Sequence, residues 1–451
     1  MAKVREVFVC QSCGTPSAKW QGQCAGCGEW NTLVAEVRSI GARAPSGGPA
    51  RARPDAAASL ASEAAAEQPR LSSGSAELDR VLGGGLVPGS VTLIGGDPGI
   101  GKSTLMLQAA AALNSAGPVL YATGEESLKQ VALRARRLGL AESTARLVAE
   151  TEVEAIVETA TSLKARALIV DSIQTTHSQR IDTAPGAVSQ LRECTAELVR
   201  FAKSSATAVL LVGHVTKEGQ IAGPRVLEHM VDTVLYFESD TGSRFRVLRS
   251  VKNRFGAANE IGVFAMAEQG LREVTNPSAI FLSRHPRPVS GSVITVMREG
   301  TRALLIEVQV LADSSLGANP RRVAVGIDGN RLTMLLAVAH RHAGLSLQGQ
   351  DVFANVVGGV RLAETAGDLA IVLAARSSLA DAPLPDSLIV FGELGLAGEI
   401  RPVPFGEERL REAAKHGFKS ALIPEANVPR RLPQGMSVRG VTRLSEALEG
   451  F

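Results

Sequence analysis

The 451-residue sequence predicts an α/β protein: a doubly wound sheet at its centre, a small four-cysteine module before it and a mixed strand-and-helix domain after it. Three observations carry this. From Leu71 to about Arg272, apolar strand runs alternate with helical runs, the pattern of strands joined by crossovers. Two Cys-x2-Cys pairs lie within twenty residues near the N-terminus. The stretch from Glu273 to Phe451 is long enough to be a domain of its own.

The pairs read Cys10-Gln-Ser-Cys13-Gly14 and Cys24-Ala-Gly-Cys27-Gly28. Each following glycine permits the tight turn that lets two thiolates face one ion. In a chain whose start, Met1 to Glu6, lacks an apolar signal core, this spacing predicts Zn²⁺ held by Cys10, Cys13, Cys24 and Cys27. A disulfide framework is disfavoured in the reducing cytosol. About forty residues cannot fold on an apolar core alone, so the metal is expected to organise residues 1–37. Residues 38–70 hold Gly, Ala, Pro, Ser and scattered Arg with no apolar period, and predict a flexible linker.

Within 71–272, Gly96-Asp97-Pro98-Gly99-Ile100-Gly101-Lys102-Ser103-Thr104 lies between an apolar strand, Val91 to Ile94, and a helical run, Thr104 to Leu113. In that setting the backbone N–H groups close around phosphate oxygens, and the helix N-terminus adds partial positive charge. Lys102 is suited to the β- and γ-phosphates, and Ser103 to Mg²⁺. The sequence therefore predicts binding of a nucleoside triphosphate, ATP. Ala167 to Val170 reads as a strand buried on both faces, ending in Asp171 at the sheet edge where ligands of open α/β sheets bind. Asp171 is expected to hold Mg²⁺ through water. Val119 to Glu126 reads as a further strand, ending in the two carboxylates Glu125 and Glu126. Glu125 is the preferred general base and Glu126 the alternative. The strand Ala208 to His214 ends in that histidine, a candidate γ-phosphate sensor or a buried strand-end histidine. Cys194, in a predicted helix from Val188 to Phe201, reads as a small buried hydrophobe.

Bulk properties narrow the rest. Net charge is +3, so any nucleic-acid site is a local patch. No apolar run approaches the roughly 20 residues that span a bilayer, which predicts a cytoplasmic protein with no membrane partner. Two Trp and two Tyr argue against base-stacking platforms.

The stretch Ser73-Gly-Ser-Ala-Glu-Leu-Asp-Arg-Val-Leu-Gly-Gly-Gly-Leu-Val-Pro-Gly-Ser90, directly before the phosphate loop, resembles the RecA-type ATPases. Together with the cysteine knuckles and Lys252-Asn253-Arg254-Phe255-Gly256, it makes the whole chain resemble the bacterial RadA (Sms) family. That resemblance implies an ATP-dependent DNA motor of recombination and repair. Such a motor binds single-stranded and branched DNA, drives branch migration, and partners the RecA recombinase. The Lys-x-Arg-x-Gly element also resembles that of DnaB-type ring helicases. It implies a homo-oligomeric ring, a hexamer, in which Arg254 and Lys252 act on a neighbour's nucleotide. Ring loops at Thr175 to Ala187 and Val215 to His229 then offer Arg180, Lys217 and Arg225 to DNA phosphates.

Residues 273–451 resemble the Lon protease domain through Asn355 to Ala375, Gly392 to Val403 and Ala421 to Pro424. The Lon serine has Thr365 in its place, and Glu407 stands where the lysine is expected. A Ser–Lys dyad needs a neutral amine beside the hydroxyl, so no peptidase activity is expected. Helices are predicted at Arg331 to Ala343 and Leu362 to Ser377, and strands at Ile294 to Val296 and Ala303 to Val310. A Lon-type ATP-dependent protease and a KaiC-like regulatory ATPase are the competing functions. The missing lysine weighs against the first; the cysteine knuckles and the Lys-Asn-Arg-Phe-Gly stretch weigh against the second.

Overall fold

The computed structural model describes residues 3–10, 14–40, 69–214, 226–238, 245–279, 281–282, 287–315, 317, 319–358 and 360–450. They form two compact units, Met1–Val274 and Thr275–Phe451.

The first unit opens with an antiparallel sheet, ordered β2-β1-β3, of β1 (Lys3–Cys10), β2 (Pro16–Ser17) and β3 (Leu33–Ile40). The β1–β3 register runs from Lys3 opposite Ile40 to Cys10 opposite Leu33. Strand structure thus extends through Arg38, Ser39 and Ile40, which composition had assigned to the linker. Main-chain pairing with β1 decides their structure, and it needs no apolar pattern.

The nine-stranded sheet that follows contains β4 (Val91–Gly96), β5 (Val119–Thr123), β6 (Arg146–Ala149), β7 (Ala167–Asp171), β8 (Ala208–Val212), β9 (Thr233–Glu238), β10 (Phe245–Asn253), β11 (Ile261–Ala267) and β12 (Gly270–Glu273). Its order is β12-β11-β10-β9-β4-β8-β7-β5-β6. Pairing is parallel from β9 through β4, β8, β7 and β5 to β6. Beyond β9 it turns antiparallel. The strands β4, β5, β7 and β8 are buried at every residue, which is why each reads as a near-continuous apolar run. Helices α1 (Ala76–Val81), α2 (Lys102–Leu113) and α3 (Leu128–Arg137) contribute to the core on one face. Helices α4 (Val153–Ser162), α5 (Val188–Ser205) and α6 (Val226–Met230) contribute to the core on the other. Capping sets two of the helix starts. The Ser75 side chain accepts from the Leu78 N–H, and Ser127 with Gln130 forms a capping box, each cap contributing about 1 kcal/mol.

The second unit is a seven-stranded mixed sheet. Its strands are β13 (Ser292–Glu299), β14 (Arg302–Ser314), β15 (Arg322–Val325), β16 (Gln350–Val356), β17 (Leu388–Val390), β20 (Ser420–Pro424) and β21 (Ser437–Val441). A separate pair is formed by β18 (Glu393–Leu394) and β19 (Ile400–Arg401). The sheet order is β15-β16-β14-β13-β17-β20-β21. Helices α7 (Gly329–Ala343), α8 (Asp368–Ala380), α9 (Gly406–Lys415) and α10 (Leu444–Leu448) belong to this unit. Helix α8 begins at Asp368, not at Leu362 as the apolar pattern predicted. The Leu362 N–H donates to the Gly326 carbonyl at 2.8 Å, and the Glu364 carboxylate accepts from the Arg298 N–H at 2.8 Å. Those partners hold 362–364 in a loop, and a short 3₁₀ turn, Thr365–Gly367, leads into the helix.

Candidate nucleotide site and metal module

At the end of β4 the chain makes its loop and enters α2, with Gly101 as the N-cap and no side-chain cap hydrogen bond. The first N–H groups of a twelve-residue helix therefore have no side chain competing for them, as an anion site requires. Gly96, Asp97, Pro98, Gly99, Ile100 and Gly101 form the loop; Ser103 and Thr104 lie in the first turn of α2. The Lys102 side chain is folded back over the loop. Its Nζ donates to the carbonyls of Gly96 at 2.6 Å and Asp97 at 2.9 Å. Burial lowers its pKa, and the nearby carboxylates of Asp171, Asp97 and Glu125 oppose that shift. An ammonium on loop carbonyls beside an uncapped helix terminus is a donor set that suits a polyphosphate.

The carboxylates converge from two neighbouring strands. Asp171 ends β7 and accepts a hydrogen bond on Oδ2 from the Tyr121 hydroxyl of β5. Glu125 follows β5, and its Oε1 accepts from the Ser172 hydroxyl at 2.6 Å and lies 3.0 Å from His214 Nε2. The strand ends meet closely because Gly124 precedes Glu125. Its N–H donates to the Asp171 carbonyl, and a Cβ there would sit 2.1 Å from Thr175 Oγ1. Burial alone would raise the Glu125 pKa. The hydrogen bonds from Ser172 and His214 and the charge of Lys102 outweigh it and hold the carboxyl below its ordinary value. His214 Nδ1 lies 3.4 Å from Lys102 Nζ, so His214 stands between the loop lysine and Glu125. Glu126 points elsewhere and pairs with Arg134 of α3 at 2.5 Å. The structure thus brings together Lys102, Glu125, Asp171 and His214. Sequence reading missed Tyr121 and Ser172. A hydroxyl directly after the strand-end acid was the available signal for Ser172.

Lys252 and Arg254 sit at the opposite edge of the sheet. Asn253 of β10 is opposite Thr233 of β9, which is opposite Thr92 near the start of β4. The phosphate loop begins four residues further along β4, about 13 Å away at ordinary strand rise. Lys252 Nζ donates to the carbonyls of Glu228 and Val231, each at 2.7 Å; burial and the neighbouring Arg254 charge lower its pKa. Arg254 Nη1 lies 3.2 Å from Asp232 Oδ1, and its side chain is 56% exposed. The other Asp232 oxygen accepts from the Val91 N–H at 3.1 Å.

Among the residues expected to meet DNA, Arg180 is held by carboxylates: Glu197 at 2.6 Å, Glu193 at 3.5 Å and Glu154 at 3.6 Å. Lys217 and Arg225 lie outside the described residues.

In the cysteine module the described residues share one hydrogen-bond pattern. Gly14 N–H donates to the Cys10 carbonyl at 2.8 Å, and Gly28 N–H to the Cys24 carbonyl at 2.9 Å. Both glycines have positive φ, +72° and +76°. The Sγ atoms of Cys10, Cys24 and Cys27 lie within 4.8 Å of one another, with Cys10 and Cys27 at 3.7 Å. That separation matches the roughly 3.8 Å edge of a tetrahedron with Zn–S bonds near 2.3 Å. Cys13 lies outside the described residues. Three thiols clustered in this way suit one thiophilic ion.

In the second unit, the Thr365 hydroxyl donates to the Glu393 carboxylate at 2.6 Å. The cations close by are guanidiniums: Arg409 on Glu364, Arg331 on Asp368 and Arg401 on Glu393. A guanidinium stays protonated and cannot take the hydroxyl proton as a lysine amine does. Glu407 lies in the first turn of α9, paired with Arg411 at 3.0 Å.

Three family models match separate stretches of the chain. The rubredoxin metal binding domain matches residues 8–35, the AAA domain residues 61–220, and the subunit ChlI of Mg-chelatase residues 336–427. The zinc ribbon, the RecA-like core and the Lon-like C-terminal domain are thus the parts of this fold. DNA repair protein RadA of Pseudomonas aeruginosa is 57% identical over 100% of both chains. That of Escherichia coli is 54% identical over 100% of this chain and 99% of its own. That of Bacillus subtilis is 49% identical over 99% of each. A crystal structure of the RadB recombinase aligns with 45% of this chain and 99% of its own, at 24% identity and a TM-score of 0.36, too loose a likeness to carry an argument. On full-length identity of this order, the chain belongs to the RadA family of DNA repair proteins.

Proposed function

We propose that this chain is a cytoplasmic, ATP-driven DNA motor of recombination and repair, binding single-stranded DNA and driving branch migration as a hexameric ring beside the RecA recombinase. The observation that carries the ring is the division of the machinery between two sheet edges. The loop, Lys102, Asp171 and Glu125 lie at the end of β4, and Arg254 and Lys252 near its start. A cation about 13 Å along the strand from the loop of its own chain is better placed to serve the loop of a neighbour. Family membership supports the DNA-repair role.

ATP bound in the loop supplies a cleavable phosphoanhydride, with Mg²⁺ neutralising its charge. Lys102 holds the β- and γ-phosphate oxygens, joined by the first N–H groups of α2. Ser103 and Asp171 hold the metal. Glu125 takes the proton of the attacking water: it is placed by Ser172 and His214, and its lowered pKa keeps it ionised without making it more basic. His214 links Glu125 to Lys102 and is placed to respond when Lys102 changes partners. Arg254 of the adjacent copy meets the charge that develops on the transferred group, with Lys252 behind it. Zn²⁺ on Cys10, Cys13, Cys24 and Cys27 fixes the N-terminal module. Arg180, Lys217 and Arg225 serve DNA phosphates; Arg180 does so only by giving up carboxylates. The Lon-like domain is a scaffold for assembly and DNA contact.

ATP hydrolysis measured with and without single-stranded DNA tests this reading. Stimulation by the strand is expected. A rate indifferent to DNA, alongside normal nucleotide binding, would overturn the motor assignment.

A further inference from the structure

We propose that Tyr121 and Ser172 are positioning residues that hold the two acids of the nucleotide site in a reciprocal exchange between β5 and β7: Tyr121 orients Asp171 toward the metal, and Ser172 orients Glu125 toward water. This rests on the assignment of Asp171 and Glu125 given above.

The strands are parallel neighbours, with Thr123 opposite Asp171. One acid ends β7, the other follows β5, and each accepts a hydroxyl from the other strand. Tyr121 of β5 donates to Asp171 Oδ2, and Ser172, just past β7, donates to Glu125 Oε1 at 2.6 Å. Both donors are buried, Tyr121 at 2% exposure and Ser172 at 1%, so water does not compete for them. The chemistry of the donors matters. A hydroxyl fixes the direction of a carboxylate and leaves its charge intact. A guanidinium holds more strongly but neutralises, as Arg134 does to Glu126 in the same segment. Engaging Oδ2 of Asp171 leaves Oδ1 for the metal's water shell. Engaging Oε1 of Glu125, which His214 also approaches, leaves Oε2 for the attacking water.

The two hydroxyls therefore act on separable quantities. Loss of the Tyr121 hydroxyl frees Asp171 to rotate, which weakens the metal's hold on the nucleotide and leaves the base in place. Loss of the Ser172 hydroxyl frees Glu125, which slows turnover and leaves metal and nucleotide binding in place.

The test uses the full chain and the variants Tyr121→Phe and Ser172→Ala. Calorimetry with the non-hydrolysable analogue AMP-PNP is run in EDTA and across a Mg²⁺ series, and steady-state hydrolysis is measured at saturating Mg²⁺. Tyr121→Phe is expected to bind AMP-PNP normally in EDTA, to raise the Mg²⁺ midpoint about ten-fold, and to recover most of kcat when Mg²⁺ saturates. Ser172→Ala is expected to keep both the analogue affinity and the Mg²⁺ midpoint and to lose about ten-fold in kcat. A wild-type Mg²⁺ midpoint in Tyr121→Phe, or a wild-type kcat in Ser172→Ala, overturns the proposal. So does a joint fall of both quantities in both variants, which is what general loosening of the site produces. Thermal melts check folding, and Tyr121→Met and Ser172→Cys replace any variant that fails to fold, with the same pattern expected. Asp171→Asn and Glu125→Gln separate this inference from the reading beneath it. If Asp171→Asn leaves the Mg²⁺ midpoint alone, or Glu125→Gln keeps wild-type turnover, the acid assignment falls and the positioning roles fall with it. If both controls lose function and the hydroxyl variants do not, only the inference falls.

Discussion

At the scale of single residues, burial decides which groups are chemically available. Lys102 is 4% exposed; its ammonium donates to two loop carbonyls and lies 3.4 Å from His214 Nδ1, a geometry that keeps a cation at the mouth of α2. Replacing it with alanine removes the only side-chain cation within the phosphate-loop motif. Lys102→Ala is expected to lower ATP hydrolysis by roughly 10²-fold or more, measured as phosphate release by purified protein. Wild-type turnover would sink the site assignment. Cys194 shows the opposite use of burial. It is fully enclosed in α5, and desolvation pushes its thiol up to about 12, with the carboxylates of Glu154 and Glu193 adding to the shift. A raised thiol pKa leaves the protonated, unreactive form in place at every pH below that value. Iodoacetamide at pH 8 is expected to leave Cys194 unmodified in the native protein and to modify it after denaturation, read by peptide mass. Labelling of the native protein at the rate of a free thiol would contradict this.

At the scale of elements, the cysteine module and the phosphate loop obey different logic. The loop is set in a large apolar core and keeps its shape through the strands around it. The described part of the module has a buried apolar cluster of only Cys10, Cys24 and Leu33, with Phe8 against it, so a bound ion is expected to supply most of its folding energy. Metal analysis is expected to find about one zinc per chain. Cys27→Ala is expected to lose that zinc and unfold the module while the ATPase core keeps its melting transition. Full zinc occupancy after the substitution would show that Cys27 is not a ligand. The clustering of Cys10, Cys24 and Cys27 was legible because the cysteines are spaced closely along the chain. The start of α8 was not legible. The apolar pattern from Leu362 onward suits a helix, but the hydrogen-bonding groups of 362–364 are taken by Gly326, Arg298 and Arg409, which are distant in sequence.

At the scale of the whole molecule, the phosphate loop and the Lys252–Arg254 pair occupy opposite edges of one sheet. If Arg254 acts on a neighbour, a chain lacking it still binds nucleotide, and a chain lacking Lys102 still lends its arginine. Arg254→Ala is expected to bind ATP normally and to lose hydrolysis or its coupling to DNA. Mixing Lys102→Ala with Arg254→Ala subunits creates boundaries that join an intact loop to an intact arginine, so a part of the ATPase activity is expected to return. Mixed assemblies, verified by co-purification through two different tags, that show no recovery would count against action in trans and favour Arg254 as a DNA-phosphate ligand.

The sequence by itself determined the features whose parts are adjacent along the chain. These are the phosphate loop between its strand and helix, the spacing of the cysteine pairs and the fully buried strands. Only the tertiary structure sets Glu125 against Ser172 and His214 and pairs Glu126 with Arg134. It alone revealed that Tyr121 reaches Asp171 across fifty residues of chain. It alone set Arg254 at the edge remote from its own loop, since that depends on β10 running antiparallel to β9. The physical reason is the same in each case. Backbone geometry and apolar periodicity are written locally, whereas the partner of a side chain is chosen by the register of strands that meet only after folding.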